Sequence, residues 1–193
     1  AQQELAKMEA SDYRTEGAYV ESPDIVRFWE KWREYYGDSG FVNPRGDRLL
    51  TDLAMRAMRE LRPKLIMVNY NDCDYVHWGA MSHYTRGVSI MDEGLRRLVE
   101  TADQDEAYRD NTVFVVVPDC GRDDNPYMSV PCQHHSNTRS AHEIFALVVG
   151  PGVARGAWID DPVDQIAVAP TIAALMGVDA PDAETTALEQ AFV

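Results

Sequence analysis

Two carboxylates and one imidazole follow a short apolar run in the first half of the chain. The run spans residues 65–70, and Asp72, Asp74 and His77 come soon after it. A carboxylate three residues before a histidine can direct both side chains to one cation such as zinc or manganese. A loop of solvated aspartates, with a histidine that caps a helix, would have the same composition. The residues alone leave both interpretations open.

Two further polar loops carry donors of the same kind. One follows the apolar run 112–117 and the other precedes the run 144–149; together they contain Asp119, Cys120, Asp123, His134 and His135. If the strands are parallel neighbours, such loops converge at one edge of the sheet, where open α/β sheets bind ligands. Four of the five histidines lie in or just after the three loops, and this concentration favours a metal site. We expect His83 and His142 to be structural.

Alternating helix and strand patterns surround these loops. The first helix is predicted to begin at Pro23, after a capping serine and with an acid in its first turn. The later elements are predicted as a helix over 50–61, a strand over 65–70, a helix over 82–101, strands over 112–117 and 144–149, and a helix over 164–176 that is closed by Gly177. This order implies crossover connections. The predicted fold class is therefore α/β, a largely parallel sheet with helices on both faces.

The length fits one domain, which we place at residues 22–193 after a polar lead-in at residues 1–21. The formal net charge of −14 repels nucleic-acid phosphates, so we expect no nucleic-acid partner. No apolar run approaches the length of a membrane span. The compartment stays open, and a periplasmic or secreted location is compatible with the first three residues as a processed end.

Three segments together resemble the C-terminal half of the alkaline phosphatase superfamily, which includes sulfatases, nucleotide pyrophosphatases and cofactor-independent phosphoglycerate mutases. Residues 71–79, Asn-Asp-Cys-Asp-Tyr-Val-His-Trp-Gly, resemble its Asp-x-x-His or Asp-x-x-x-His metal motif. Residues 115–123 resemble its strand followed by Ser-Asp-His-Gly-Arg. The third segment begins at His134-His135 and continues through Gly-Pro-Gly at 150–152 to the helix at 164–177; it resembles the last histidine, strand end and helix of the family. The likeness covers about residues 47 to 180.

The resemblance implies an alkaline-phosphatase-like partial domain with one or two zinc or manganese ions. It places Asp74, His77 and His135 around one metal and Asp119 in a second site, with Asp72 and His134 as competing choices within their motifs. The implied substrate is a small anionic phosphate or sulfate ester. In the family, the two metals polarise that ester and activate a serine or threonine nucleophile.

Two departures from the family pattern bear on activity. Cys120 stands where the family has the histidine of its second metal; a thiolate can bind zinc, but the replacement can equally abolish that site. The family also places its nucleophile upstream, after its first strand, and this chain has no predicted strand before residue 65. We therefore expect a metal-dependent hydrolase present as a fragment, with the N-terminal half of the fold missing and with no activity by itself. The alternative is a degenerate, non-catalytic member that serves as a binding or interaction module.

The cysteines and two arginines leave further alternatives. Cys73, Cys120 and Cys132 are an odd number, which excludes a complete intrachain disulfide framework. Each lies in one of the three loops, so thiolate ligands, a disulfide pair and simple packing all remain open, as does a thiol-metal sensor. Arg122 and Arg139 are candidates to bind an anionic substrate, and for each a structural salt bridge is the competing interpretation.

Overall fold

The computed structural model describes residues 22–36, 46–77, 80–123, 127, 133–134 and 138–192. The chain divides into two compact units: residues 1–75 with 85–101, and residues 76–84 with 102–193. The first boundary falls within the three-residue 3-10 helix Asp74–Val76, in the polar loop 71–77. The prediction of one domain over residues 22–193 stays a prediction. Among the described helices, none combines the length and the apolar character needed to cross a membrane.

Two helices form the core of the first unit. Helix α1 spans Pro23–Tyr36 and begins at the predicted proline, with the N–H of Asp24 donating to the Ser22 hydroxyl at 3.4 Å. Helix α2 spans Asp47–Leu61. Phe28 and Trp32 of α1 pack with Leu53 of α2, and all three side chains are buried because the apolar positions of both helices recur at helical spacing.

The segment after α2 differs from its prediction. Residues 65–70 form no strand, and Leu65, Ile66 and Met67 are exposed. The prediction of a strand buried on both faces is therefore wrong for this segment. A strand exists only through hydrogen bonds to a neighbour, and no described residue pairs with this segment as a neighbouring strand.

Helix α3 spans Met81–Gln104 and confirms the long helix predicted over 82–101. Two of its glycines, Gly87 and Gly94, are buried. A Cβ at Gly94 would lie 2.6 Å from both the Thr51 and the Tyr70 hydroxyl oxygens. Glycine, which weakens a helix, is tolerated at this position because it lets α2 and the segment 65–70 approach α3 closely.

The second unit contains the described sheet. Strands β1, Phe114–Val116, and β2, Leu147–Val149, lie within the predicted strands and pair antiparallel, with Phe114 opposite Val149. The described part of their connection contains only the single-turn helix α4, Arg139–His142, whereas a parallel crossover usually contains a longer helix. The fold is α/β. The described residues form one antiparallel pair of strands and do not show the predicted, largely parallel sheet.

The C-terminal helix confirms its prediction. A 3-10 turn, Gln165–Ala167, leads into α5, Val168–Met176. Gly177 closes the helix in the left-handed conformation with φ 66°, where glycine has no steric penalty. The Gln165 side chain donates to the backbone oxygens of Pro118 and Asp119, so this turn also supports the loop that follows β1.

Candidate metal centre

The loop 71–77 holds an acid and an imidazole at the two ends of one tight turn. The backbone oxygen of Asn71 accepts the N–H groups of Asp74 at 2.9 Å and Tyr75 at 3.3 Å. These bonds start the 3-10 helix Asp74–Val76, whose last residue, Val76, is buried. Asp74 is left exposed and His77 half-buried, so both side chains remain accessible to a ligand.

Asp74, His77 and His134 come together as a possible metal-binding group. Each offers one donor atom, and these three atoms lie within 4.8 Å of one another. The imidazole rings of His77 and His134 are 4.6 Å apart between centroids, with an interplanar angle of 56°. One carboxylate and two imidazoles are the donor set of many catalytic zinc sites, and three protein ligands leave a position for substrate. The donor chemistry therefore fits zinc or manganese.

A cation and a hydrogen-bond donor lie next to His77. One terminal nitrogen of Arg122 is 3.4 Å from both ring nitrogens of His77, and the guanidinium carbon lies 5.5 Å from the centroid of the Tyr84 ring. The side-chain amide of Gln133, itself buried, donates to the backbone oxygen of His77 at 2.9 Å. Because Gln133 directly precedes His134, this hydrogen bond connects the loop that carries His77 to the segment that carries His134.

Close backbone approaches place Arg122 at this position. The N–H of Gly121 donates to the Ala141 oxygen at 2.9 Å, and a Cβ at Gly121 would lie 1.9 Å from the backbone oxygen of Ser140. Only glycine permits that contact. The N–H of Asp123 donates to the Gln133 oxygen at 2.6 Å. The loop after β1 is therefore held against both α4 and the segment 133–134.

The other predicted ligands lie elsewhere or outside the described residues. Asp72 accepts the backbone N–H of Asp47 at 3.2 Å and is not part of the group. Asp119 accepts the N–H of Cys120 at 2.9 Å, and the described residues bring neither of them into the group. His135, which the resemblance favours over His134, is outside the described residues, so the assignment of metal ligands stays a prediction.

The structure also bears on the cysteines and on Arg139. Cys73 and Cys120 are not disulfide-bonded, and Cys132 lies outside the described residues. A Cβ added at Gly87 would lie 3.0 Å from the Cys73 sulfur, so the sulfur packs closely against the Gly87 backbone, in agreement with the packing interpretation for this cysteine. Arg139 is exposed and forms an ion pair with Glu143 one helical turn away, in agreement with the structural interpretation.

Asp47 is a residue near the loop that the sequence did not identify. Its carboxylate is fully buried and accepts the backbone N–H of Asn71 at 2.8 Å and that of Asp72 at 2.9 Å. Burial raises the pKa of Asp47 above its ordinary value, although the two hydrogen bonds act in the opposite direction. The signal available in the sequence was an acid at the start of a helix, which normally faces solvent and complements the helix dipole.

Comparison with known proteins finds a bacterial relative. The chain is 33% identical over 141 residues to a 2,3-bisphosphoglycerate-independent phosphoglycerate mutase of Gluconobacter oxydans (strain 621H). The alignment covers 70% of this chain and 25% of the relative, so the chain spans about a quarter of the relative's length. No protein-family model matches the chain, and no solved structure matches it significantly. The similarity hints at the alkaline phosphatase superfamily, to which that mutase belongs.

Proposed function

We propose that the chain is part of a metal-dependent phosphoryl-transfer enzyme of the alkaline phosphatase superfamily, with Asp74, His77 and His134 as metal ligands. The observation that carries the proposal is the convergence of these three donors within 4.8 Å. The similarity to the mutase supports a phosphate ester as the substrate class. Hydrolysis of a phosphate or sulfate ester, with water as the final acceptor, is the specific reaction that we propose.

The residues of the group have separate tasks. The two imidazoles and the Asp74 carboxylate would hold the cation, which would supply the Lewis acidity that polarises a phosphoryl oxygen. Gln133 fixes the backbone of His77 and so limits how far this ligand can move. Arg122 lies 3.4 Å from the His77 ring, where its guanidinium can bind anionic ester oxygens with two hydrogen bonds.

The nucleophile, and the remaining ligands of the second metal site to which Asp119 would belong, lie in this proposal in sequence beyond these 193 residues. The relative is about four times as long as the aligned part, which leaves room for them. Upstream strands would also provide residues 65–70 with a neighbour and make the complete sheet largely parallel. This chain by itself is then expected to bind metal without catalysing turnover.

Metal content tests the proposal directly. After dialysis against metal-free buffer, the chain should retain at least one zinc or manganese ion per molecule by elemental analysis. Asp74→Ala and His77→Ala should release it, because each removes one of three ligands. The matched controls are Asp92→Ala and His83→Ala, which remove an exposed acid and an exposed imidazole of α3 and should leave the metal bound. A wild-type chain without metal would contradict the proposal.

A binding module without catalysis is the second candidate, favoured by a specific observation. Cys120 replaces the histidine that the resemblance requires at the second metal, and the described residues bring neither Asp119 nor Cys120 into the group. Turnover of an aryl phosphate or an aryl sulfate by the complete gene product, with added zinc or manganese, separates the two candidates. Metal binding with no turnover of either ester would favour the module.

A further inference from the structure

Asp47 forms three hydrogen bonds with the start of the loop 71–77. Its two carboxylate oxygens accept the N–H groups of Asn71 at 2.8 Å and Asp72 at 2.9 Å. In return, the backbone N–H of Asp47 donates to the Asp72 carboxylate at 3.2 Å. Asp47 is 0% exposed, so water does not compete for these bonds. A buried carboxylate that accepts two backbone N–H groups fixes the position of that backbone.

The backbone that Asp47 holds at Asn71 also forms the turn that carries Asp74. Asn71 donates its N–H to Asp47 and accepts, through its own oxygen, the N–H groups of Asp74 and Tyr75. Any displacement of Asn71 therefore moves the first hydrogen bonds of the 3-10 helix Asp74–Val76. The path from Asp47 to Asp74 consists of two successive hydrogen bonds within the same unit.

Helix α3 supports the same loop at Cys73, the next residue along the chain. A Cβ at Gly87 would lie 3.0 Å from the Cys73 sulfur and 3.3 Å from the Cys73 backbone nitrogen, so loop and helix are in close contact. The loop is thus fixed by a helix contact at Cys73 and by the Asp47 hydrogen bonds at Asn71 and Asp72. The Asp47 hydrogen bonds are directional, so they orient the backbone from which the turn starts.

We infer that Asp47 is a positioning residue of the metal centre, which sets the orientation of Asp74 by holding the backbone of Asn71 and Asp72. It contacts neither metal nor substrate. This inference rests on the proposed function in one respect, the role of Asp74 as a ligand. The effect of Asp47 on the turn itself does not depend on a metal.

Metal affinity is the first measurement. In the full 193-residue chain, Asp47→Asn keeps the size of the side chain but replaces one acceptor oxygen by an N–H₂ donor that faces a backbone N–H. We expect Mn²⁺ affinity, measured by calorimetry well below the melting temperature, to fall by about tenfold or more, as for other residues that orient metal ligands. Asp52→Asn is the matched control, because Asp52 lies on the same helix but its carboxylate pairs with Arg97.

Two further variants separate positioning from a general loss of stability. Leu53→Ala creates a cavity in the cluster with Phe28 and Trp32 and lowers stability without touching the loop. Its Mn²⁺ affinity should stay within about twofold of wild type at a temperature where it is folded. Asp47→Glu keeps both acceptor oxygens and should lose less Mn²⁺ affinity than Asp47→Asn. If Asp47→Asn does not fold, Asp47→Glu is used in its place. Equal losses in Leu53→Ala and the Asp47 variant would overturn the inference.

Amide hydrogen exchange tests the effect of Asp47 on the turn even if the wild-type chain binds no metal. Absence of metal would contradict the proposed function but not this inference. The N–H groups of Asp74 and Tyr75 should exchange about tenfold faster or more in the Asp47 variant, because their acceptor is no longer held. Exchange at these two amides should be unchanged in Asp52→Asn. Unchanged exchange in the Asp47 variant would overturn the inference whatever the metal does.

Discussion

The carboxylate of Asp47 lies in an environment that opposes its charge. Burial raises its pKa, and the nearby Asp72 carboxylate acts in the same direction, while two backbone N–H groups partly offset both. A carboxyl group whose pKa is higher in the folded than in the unfolded chain favours folding when protonated. Its contribution is present at low pH and is lost as the pH rises through the pKa of the folded state.

This sign gives a prediction for stability in the absence of metal. In buffer with a chelator, the free energy of unfolding of the wild-type chain minus that of Asp47→Asn should decrease as the pH rises from about 3 to about 6, since only the wild type carries the ionisable group. Urea unfolding at several pH values measures this difference. Asp52→Asn serves as the control, and a difference that grows with pH would show that the hydrogen bonds to Asp47 outweigh its burial.

At the same scale, the sequence identifies donors better than the residues that position them. The sequence indicates Asp74, His77 and His134 as candidate metal ligands, because acids and imidazoles at short spacing stand out in a sequence. Asp47 and Gln133 were not, because their contacts join positions 24 and 56 residues apart. Hydrogen bonds of that kind have no local signature, so only coordinates identify them.

At the scale of elements, the predictable parts are those whose cause is local. Helix α1 begins at Pro23 and α5 ends before Gly177, as the capping rules predict. Residues 65–70 have the composition of a buried strand but form none among the described residues, because strand formation depends on a distant partner. The same reason applies to the sheet, whose described strands pair antiparallel although a largely parallel sheet was predicted.

The close approach at Gly94 gives a prediction at this scale. Gly94→Ala would normally stabilise an exposed helix by up to about 1 kcal/mol. Its Cβ, however, would lie 2.6 Å from the hydroxyl oxygens of Thr51 and Tyr70, which are buried or half-buried and hydrogen-bonded to each other. We expect a net loss of about 1–3 kcal/mol in the free energy of unfolding, the usual cost of overpacking.

Denaturant unfolding of Gly94→Ala measures that loss, and Ser89→Ala, an exposed position of the same helix, is the control. The control should change stability by less than about 0.5 kcal/mol. If Gly94→Ala proved as stable as the control, α2 and the segment 65–70 would not lie as close to α3 as the structure places them.

For the whole molecule, a metal site implies that metal binding and folding are coupled. The candidate ligands come from two distant stretches, His134 lying far along the chain from Asp74 and His77, so the unfolded chain cannot hold them together. A ligand that binds only the folded state adds stability that grows with its concentration, by about 2.7 kcal/mol at one hundred times its dissociation constant.

We therefore expect Zn²⁺ or Mn²⁺ to raise the melting temperature of the wild-type chain in a concentration-dependent way. His77→Ala should lose this dependence and His83→Ala should keep it, since both remove one imidazole but only His77 belongs to the group. Calcium, which prefers sites of six to eight oxygen ligands, should have little effect on either protein. An equal rise in melting temperature for His77→Ala and wild type would place the metal on other residues and remove the basis for Asp74, His77 and His134 as its ligands.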